Sequence, residues 1–208
     1  MDSDQIGKKY DKVAEWWNEN HLHSSYGLQQ IEKAIAFTEN KDAALDVGCG
    51  SGGRVIRLLE AHGFQVTGVD VSQKMLDIAR RNHPGAEFHL SGIEQWESHR
   101  LFDLVVAWDS IFHIEASRQA GVIKKLAQKL RSRGILIYTF GDTCGDIEDL
   151  SFSSGGKQHG DLENDYFGYG SIGINANLQA LIDCGCKCLH LELDQFPLNH
   201  AYIIAQKQ

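Results

Sequence analysis

Ala44-Leu-Asp-Val-Gly-Cys-Gly-Ser-Gly-Gly53 is a short apolar run that breaks directly into a cluster of glycines. It reads as a strand, a tight turn and the start of a helix. Gly48 and Gly50 let the backbone turn sharply and approach a ligand closely. Gly52 and Gly53 open the helix, whose first N–H groups face the same place. About twenty residues on, Asp70 closes the next strand, Val66–Val69, where a carboxylate reaches both hydroxyls of a ribose. Together these features predict a nucleoside site at the carboxyl edge of a parallel sheet.

The rest of the chain supports such a sheet. Ile6, Tyr10, Val13 and Trp17 follow helical spacing, and Gln29 to Thr38 reads as a second helix. Helices are expected over Arg54–His62, from Ser72 as N-cap through Asn82, over Ser117–Leu130 and over Ala176–Cys184. Between them lie apolar strands at Phe88–Leu90, Phe102–Trp108 and Gly134–Phe140. Lys187–Leu193 and Ala201–Ala205 are the last two, joined around Pro197 and Asn199 as an antiparallel hairpin. Strands that alternate with helices and read as solid apolar runs predict an α/β fold with helices on both faces of a mostly parallel sheet. The stretch from Gly141 to Gly173 has no clear period, although it holds Phe152, Tyr166, Phe167 and Tyr169, and a loop this long is usually functional or disordered.

Glycine spacing does not identify the nucleoside, because Gly48, Gly50 and Gly53 also satisfy the dinucleotide pattern G-x-G-x-x-G. Asp46 discriminates. A pyrophosphate in this turn would meet its like charge in a low-dielectric cleft, whereas the ammonium and sulfonium of S-adenosylmethionine are favoured there. An NAD(P)-dependent oxidoreductase is therefore the weaker reading, and a protein that binds the nucleoside without turnover is a further alternative.

Leu45-Asp-Val-Gly-Cys-Gly-Ser-Gly52 closely resembles the first motif of class I (Rossmann-like) S-adenosylmethionine-dependent methyltransferases, of the small-molecule type. Val66-Thr-Gly-Val-Asp-Val-Ser-Gln-Lys-Met-Leu76 resembles their second motif, and Phe102-Asp-Leu-Val-Val-Ala-Trp108 their fourth. Leu130 to Tyr138 resembles the region after it, so the likeness runs through nearly all of residues 43–140. It implies a three-layer sandwich around a seven-stranded sheet with an antiparallel C-terminal hairpin. It also implies one domain over 1–208: a helical lid over 1–40, a cofactor-binding core over 43–140, an acceptor-side loop over 141–173, and a last helix and hairpin over 174–208. The cofactor would be S-adenosylmethionine and the product S-adenosylhomocysteine. By resemblance, Gly48, Cys49 and Gly50 line the methionine portion with Asp46 near its amino group. Asp70 binds the ribose, Val71, Gly92 and Ile93 lie at the adenine, Trp108 closes the cleft and Tyr10 is a lid tyrosine. Ser91-Gly92 stands where the family often has an acidic residue, and Glu94 is a substitute.

On the acceptor side, His113 is the candidate general base or a residue that pins the acceptor, with a structural role as the alternative. Asp109, Trp16, Trp17 and Tyr166 are further acceptor candidates. Glu192, Asp194 and His200 flank the last hairpin, where packing or solvent exposure is the simpler expectation.

Composition bounds the rest. A chain of 208 residues with 42% apolar composition and no long apolar run fits one globular domain. A net charge of −8 disfavours nucleic acid as substrate. Neither of the two prolines follows the fourth strand, so the Asn/Asp-Pro-Pro-aromatic motif of adenine-amino methyltransferases and the Pro-Cys nucleophile of cytosine enzymes are absent. A small-molecule acceptor is expected. Five cysteines without disulfide spacing suggest reduced thiols and a cytoplasmic address. Cys184, Cys186 and Cys188 lack zinc spacing, His21 and His23 lack partner ligands, and no metal is expected.

Overall fold

The computed structural model describes residues 2–141, 152–153, 166–167, 170–194 and 200–208. In chain order it contains α1 (Ser3–His21), α2 (Leu28–Phe37), β1 (Ala43–Val47), α3 (Arg54–Ala61), β2 (Gln65–Asp70), α4 (Gln73–Asn82), β3 (Glu87–Leu90) and β4 (Phe102–Ala107). A 3-10 turn (Ile111–His113) follows, then α5 (Ala116–Gln128), β5 (Leu130–Gly141), the two-residue strands β6 (Phe152–Ser153) and β7 (Tyr166–Phe167), α6 (Gly173–Asp183), β8 (Cys186–Leu193) and β9 (His200–Lys207). Seven strands form one sheet in the order β3-β2-β1-β4-β5-β9-β8. Pairing is parallel up to β5, and β9 runs antiparallel to both of its neighbours. This is the Rossmann-like fold with its antiparallel C-terminal hairpin. β6 and β7 pair only with each other, inside the segment that showed no periodicity.

Side chains alternate across the central strands, as strand geometry requires. Ala44, Leu104 and Val106 face Ile31, Ile35, Ile56, Leu59 and Leu76 from α2, α3 and α4. Leu45, Val105 and Ala107 face Val122, Ile123, Leu126 and Leu181 from α5 and α6. Cys186 joins this second face and Cys184 and Cys188 pack against it, which is a packing role for the cysteine run. Among the described residues no helix is long and apolar enough to cross a membrane.

Element ends agree with the sequence pattern to within two residues except at α6, which begins at Gly173 rather than Ala176, and at β5. The strand begins at Leu130 rather than Gly134, because Leu130 pairs with Phe102 and stays in the core. The register then shifts before Ile135 meets Leu104, and Arg133 takes a left-handed φ of 65° within the irregularity. Arg131 reaches back to the buried Asp103 at 2.9 Å, and Asp103 also accepts from the Ala43 N–H at 2.9 Å. The glycine that reads as a strand start therefore lies inside a bulged strand.

α1 begins with a capping box: the Gln5 N–H donates to Asp2 at 2.8 Å and the Asp2 N–H to the Gln5 side chain at 3.3 Å. Its apolar face lies on α4, where Ala14, Met75 and Ile78 form a small cluster joined by Tyr10 and Trp17. Gly7 makes this close approach possible, since a Cβ there would lie 2.1 Å from the Val71 carbonyl oxygen. Gly→Ala inside a helix ordinarily gains up to about 1 kcal/mol. Here the collision with fixed backbone is expected to reverse the sign, for a net loss of about 1–2 kcal/mol. Thermal melting of Gly7→Ala checks this, with an expected fall in Tm of roughly 2–8 °C.

Candidate functional site

The chain runs outward from β1 to β2 and β3 on one side of the sheet, then returns to β4 on the other. The crevice of a doubly wound sheet opens at such a reversal, above the carboxyl ends of the strands. A cavity of about 410 Å³ lies there. It is lined by Tyr10, Trp16, Trp17, Asp46, Gly48, Cys49, Gly50, Asp70, Val71, Gly92, Ile93, Trp108, Asp109 and His113, so the structure gathers fourteen of the fifteen candidates around one space. The side chain of Tyr166 lies outside the described residues, as do those of His159 and Tyr169.

The turn after β1 is held by the protein itself. The N–H groups of Gly48 and Cys49 donate to the Val69 carbonyl at 2.8 and 3.2 Å, and that of Gly52 to the Cys49 carbonyl at 3.0 Å. The Gly50 N–H donates to Asp70 Oδ2 at 2.8 Å, and Ser72 N–H to Asp70 Oδ1 at 2.8 Å. Asp70 thus joins the ends of β1 and β2 while lining the cavity. The N–H groups of Gly48, Cys49, Gly50 and Gly52 are paired within the protein. Gly48 adopts φ 72°, and a Cβ on it would fall 2.3 Å from the Cβ of Ser110 after β4, so the two chain crossings touch at this glycine.

Two buried acids face the crevice. Burial first, and the neighbouring Asp70 second, push the Asp46 carboxyl up to about 7 against the opposing pull of Arg54. Burial also raises Asp70, offset by the backbone N–H groups it accepts. A cavity that holds two such acids suits a cationic ligand.

Across the cavity, Tyr10 Oη lies 2.8 Å from His113 Nε2, which joins α1 to the turn after β4. Burial, followed by Asp70 and Asp109, holds the tyrosine hydroxyl far above its ordinary range, so it stays protonated and shares a single hydrogen bond with Nε2. Trp17 stands edge-on to Tyr10 at 5.9 Å and stacks on His21 at 4.0 Å, so His21 serves the aromatic wall. Asp109 has a left-handed φ of 53°, tolerated by Asp more than by most residues. Its N–H donates to Thr139 Oγ1 at 2.8 Å, and its carboxylate accepts from Thr139 and His200. Glu94, the substitute named for the adenine contact, lines the cavity and pairs with Arg118 at 3.0 Å.

Sequence reasoning missed several lining residues. Arg54 donates to the Tyr26 carbonyl at 2.6 Å and its guanidinium lies 5.4 Å from the Tyr26 ring, in the link between α1 and α2. Ser110 Oγ is buried without a hydrogen-bond partner among the described residues and lines the cavity. The position of Ser110 right after the fourth-strand motif is a signal available in the sequence; Tyr26 carries none, because only the tertiary fold brings it here.

Residues 44–134 match the family described as "Methyltransferase domain". A ubiquinone biosynthesis O-methyltransferase from Rickettsia canadensis is 32% identical over 144 residues, covering 62% of this chain and 60% of that protein. The chain thus spans about 60% of the length of this curated relative. Among solved structures, an S-adenosylmethionine-dependent methyltransferase from Clostridium acetobutylicum superposes with a TM-score of 0.71 at 16% identity, covering 96% of this chain and 99% of the other. Magnesium protoporphyrin IX methyltransferase from Synechocystis PCC 6803, with bound S-adenosylmethionine, gives a TM-score of 0.68 at 18% identity over 100% and 98% of the two chains. At these identities the structures establish the fold.

Proposed function

We propose that this chain is a class I S-adenosylmethionine-dependent methyltransferase acting on a small-molecule acceptor. The observation that carries this reading is the crevice itself: two buried acids, Asp46 and Asp70, beside the glycine turn after β1. That site suits a cationic amino acid with a nucleoside attached and rejects a pyrophosphate. The residues fit the cofactor. Asp46 takes the ammonium, with Arg54 on the carboxylate side. Gly48, Cys49 and Gly50 line the methionine chain, and Asp70 accepts from the ribose hydroxyls. Val71, Gly92 and Ile93 flank the adenine, and Trp108 closes the floor. A cytoplasmic address accompanies this reading.

When bound, the cofactor supplies a methyl group activated on a sulfonium. The protein then mainly holds donor and acceptor in line, a contribution that reaches about 7–11 kcal/mol in favourable systems. Where the acceptor atom carries a proton, His113 is the candidate base, held in place by its hydrogen bond with Tyr10 Oη. Trp16, Trp17 and Asp109 line the acceptor side, and Tyr166 belongs to the same proposal through its loop.

Calorimetry with S-adenosylhomocysteine and NAD tests the reading: the first is expected to bind at micromolar concentration and the second not at all. Binding of NAD alone would overturn it. Formation of S-adenosylhomocysteine from S-adenosylmethionine with a panel of small acceptors separates an enzyme from a binding protein.

The raised Asp46 carboxyl adds a pH signature. An ammonium favours the deprotonated acid, so affinity for S-adenosylhomocysteine is expected to rise from pH 6 to pH 8, by at most about tenfold per pH unit for one released proton. Asp46→Asn is expected to remove most of that slope. Because the folded pKa lies above the unfolded value, this group stabilises the cofactor-free fold below about pH 4 and loses that contribution as pH rises through about 7. A wild-type affinity that is flat with pH would remove Asp46 from the ammonium site.

A further inference from the structure

His200 opens β9 and Asp194 follows the end of β8, far in sequence from the motifs that form the crevice. The structure nevertheless places them in one chain of contacts with Asp109. His200 Nε2 lies 3.0 Å from Asp109 Oδ1, and His200 Nδ1 bonds the almost fully buried Asp194. An imidazole bonded by a carboxylate at each nitrogen must donate from both, which requires the imidazolium. Thr139 also holds Asp109: its hydroxyl donates to the same Oδ1 and accepts from the Asp109 N–H. Tyr26 Oη stands 3.5 Å from His200 Nε2, with Arg54 beyond it. Asp109 lines the cavity just past the end of β4, and its backbone is held in an uncommon conformation. Such backbone is retained where surrounding contacts over-determine it, often at functional sites.

We propose that His200, backed by Asp194, is a positioning residue that fixes the charge and direction of Asp109, and that Asp109 takes a hydrogen-bond donor of the acceptor, hydroxyl or ammonium. This rests on the methyltransferase reading. The Asp194–His200–Asp109 chain carries a net charge of −1, so it attracts a donor and repels an anion. The acceptor class is therefore one that bears a hydroxyl or amine besides its apolar body, with the aromatic wall of Trp17, Tyr26 and Phe112 available for that body. Burial alone would lower the His200 pKa, but the bonds and charges of Asp109 and Asp194 outweigh it and raise the group.

The test uses the full chain saturated with S-adenosylhomocysteine and three probes of similar size: phenol, benzylamine and anisole. Calorimetry is expected to show phenol or benzylamine binding at least about tenfold more tightly than anisole, since a hydrogen bond to a charged group contributes at least that much. Which of the two donors binds identifies hydroxyl or ammonium. Asp109→Asn and His200→Gln are each expected to weaken that probe about tenfold, with S-adenosylhomocysteine affinity held within about threefold as proof of fold. Histidine NMR supplies a readout that a packing role would not move: the His200 titration midpoint is expected to drop in Asp109→Asn, because the carboxylate that holds it up is removed. Anisole binding as tightly as both donors, variants that bind like the wild type, an unmoved midpoint, or no probe binding to the liganded protein would each overturn the proposal. Failure of the wild type to bind S-adenosylhomocysteine overturns the methyltransferase reading instead, and the NMR titration then still decides whether the His200–Asp109 coupling exists.

Discussion

Replacing Asp70 by alanine is expected to weaken binding of S-adenosylmethionine and S-adenosylhomocysteine about a hundredfold or more. In the proposed cofactor site two ribose hydroxyls would each lose a bond to a charged acceptor, and such bonds contribute about 1.5–3 kcal/mol. The change also strands the N–H groups of Gly50 and Ser72, which both donate to this carboxylate. Each buried donor left unpaired costs about 1–3 kcal/mol, so the turn that carries Asp46 loosens as well. An opposing effect is present: removing a buried acid relieves the burial cost that raises Asp70 and the repulsion it exerts on Asp46. Asp70→Asn separates the two. The amide keeps one acceptor oxygen and removes the charge, so it is expected to melt close to the wild type while still binding the cofactor at least about tenfold more weakly. Calorimetry and thermal melting on both variants read these outcomes. An Asp70→Ala protein that binds S-adenosylhomocysteine as the wild type does would exclude Asp70 from the ribose site.

Gly48→Ala is expected to be strongly destabilising. A left-handed φ costs an ordinary residue about 1–2 kcal/mol. The added Cβ would also lie 2.3 Å from the Cβ of Ser110, and both belong to chain segments anchored in the sheet. Overpacking of this kind costs about 1–3 kcal/mol more. The sum is a loss of about 2–5 kcal/mol, a fall in Tm on the order of 10 °C, and no measurable cofactor binding. Gly63→Ala is the control, because Gly63 also has a left-handed φ of 88° but no neighbouring atom within 4 Å. It carries only the backbone strain of about 1–2 kcal/mol, and the difference between the two melting temperatures measures the collision. Equal losses would mean that Ser110 gives way and that the two crossings are not tightly packed.

The cofactor side of the crevice is legible in the sequence because it is local. One strand, one turn and one helix start place Gly48, Gly50 and Asp46, and the next strand end places Asp70. Each position follows from chain geometry over a few residues. The aromatic wall is half legible, since helical spacing puts Tyr10 and Trp17 on one face but says nothing of His113, which Tyr10 meets across 103 residues. The Asp109–His200 contact spans 91 residues and depends on a left-handed backbone that no neighbouring glycine announces. The early start of β5 is hidden for a related reason: Leu130 is the last apolar residue of one pattern and the first of the next, and only its pairing with Phe102 assigns it.

The order of the strands has a consequence for behaviour at high concentration. The sheet ends in β3 on one side and β8 on the other, and an unpaired strand edge is a template for association with another copy. Both edges are guarded by charge. On β3, Glu87 pairs with His89 at 3.0 Å and Arg100 at 3.6 Å. On β8, Glu192 meets His190 at 2.8 Å and Lys33 at 3.4 Å. These pairs are exposed and add little to stability. Their effect is colloidal: an incoming strand would have to strip water from ionic groups before it gained its first backbone hydrogen bond, which raises the cost of pairing at either edge.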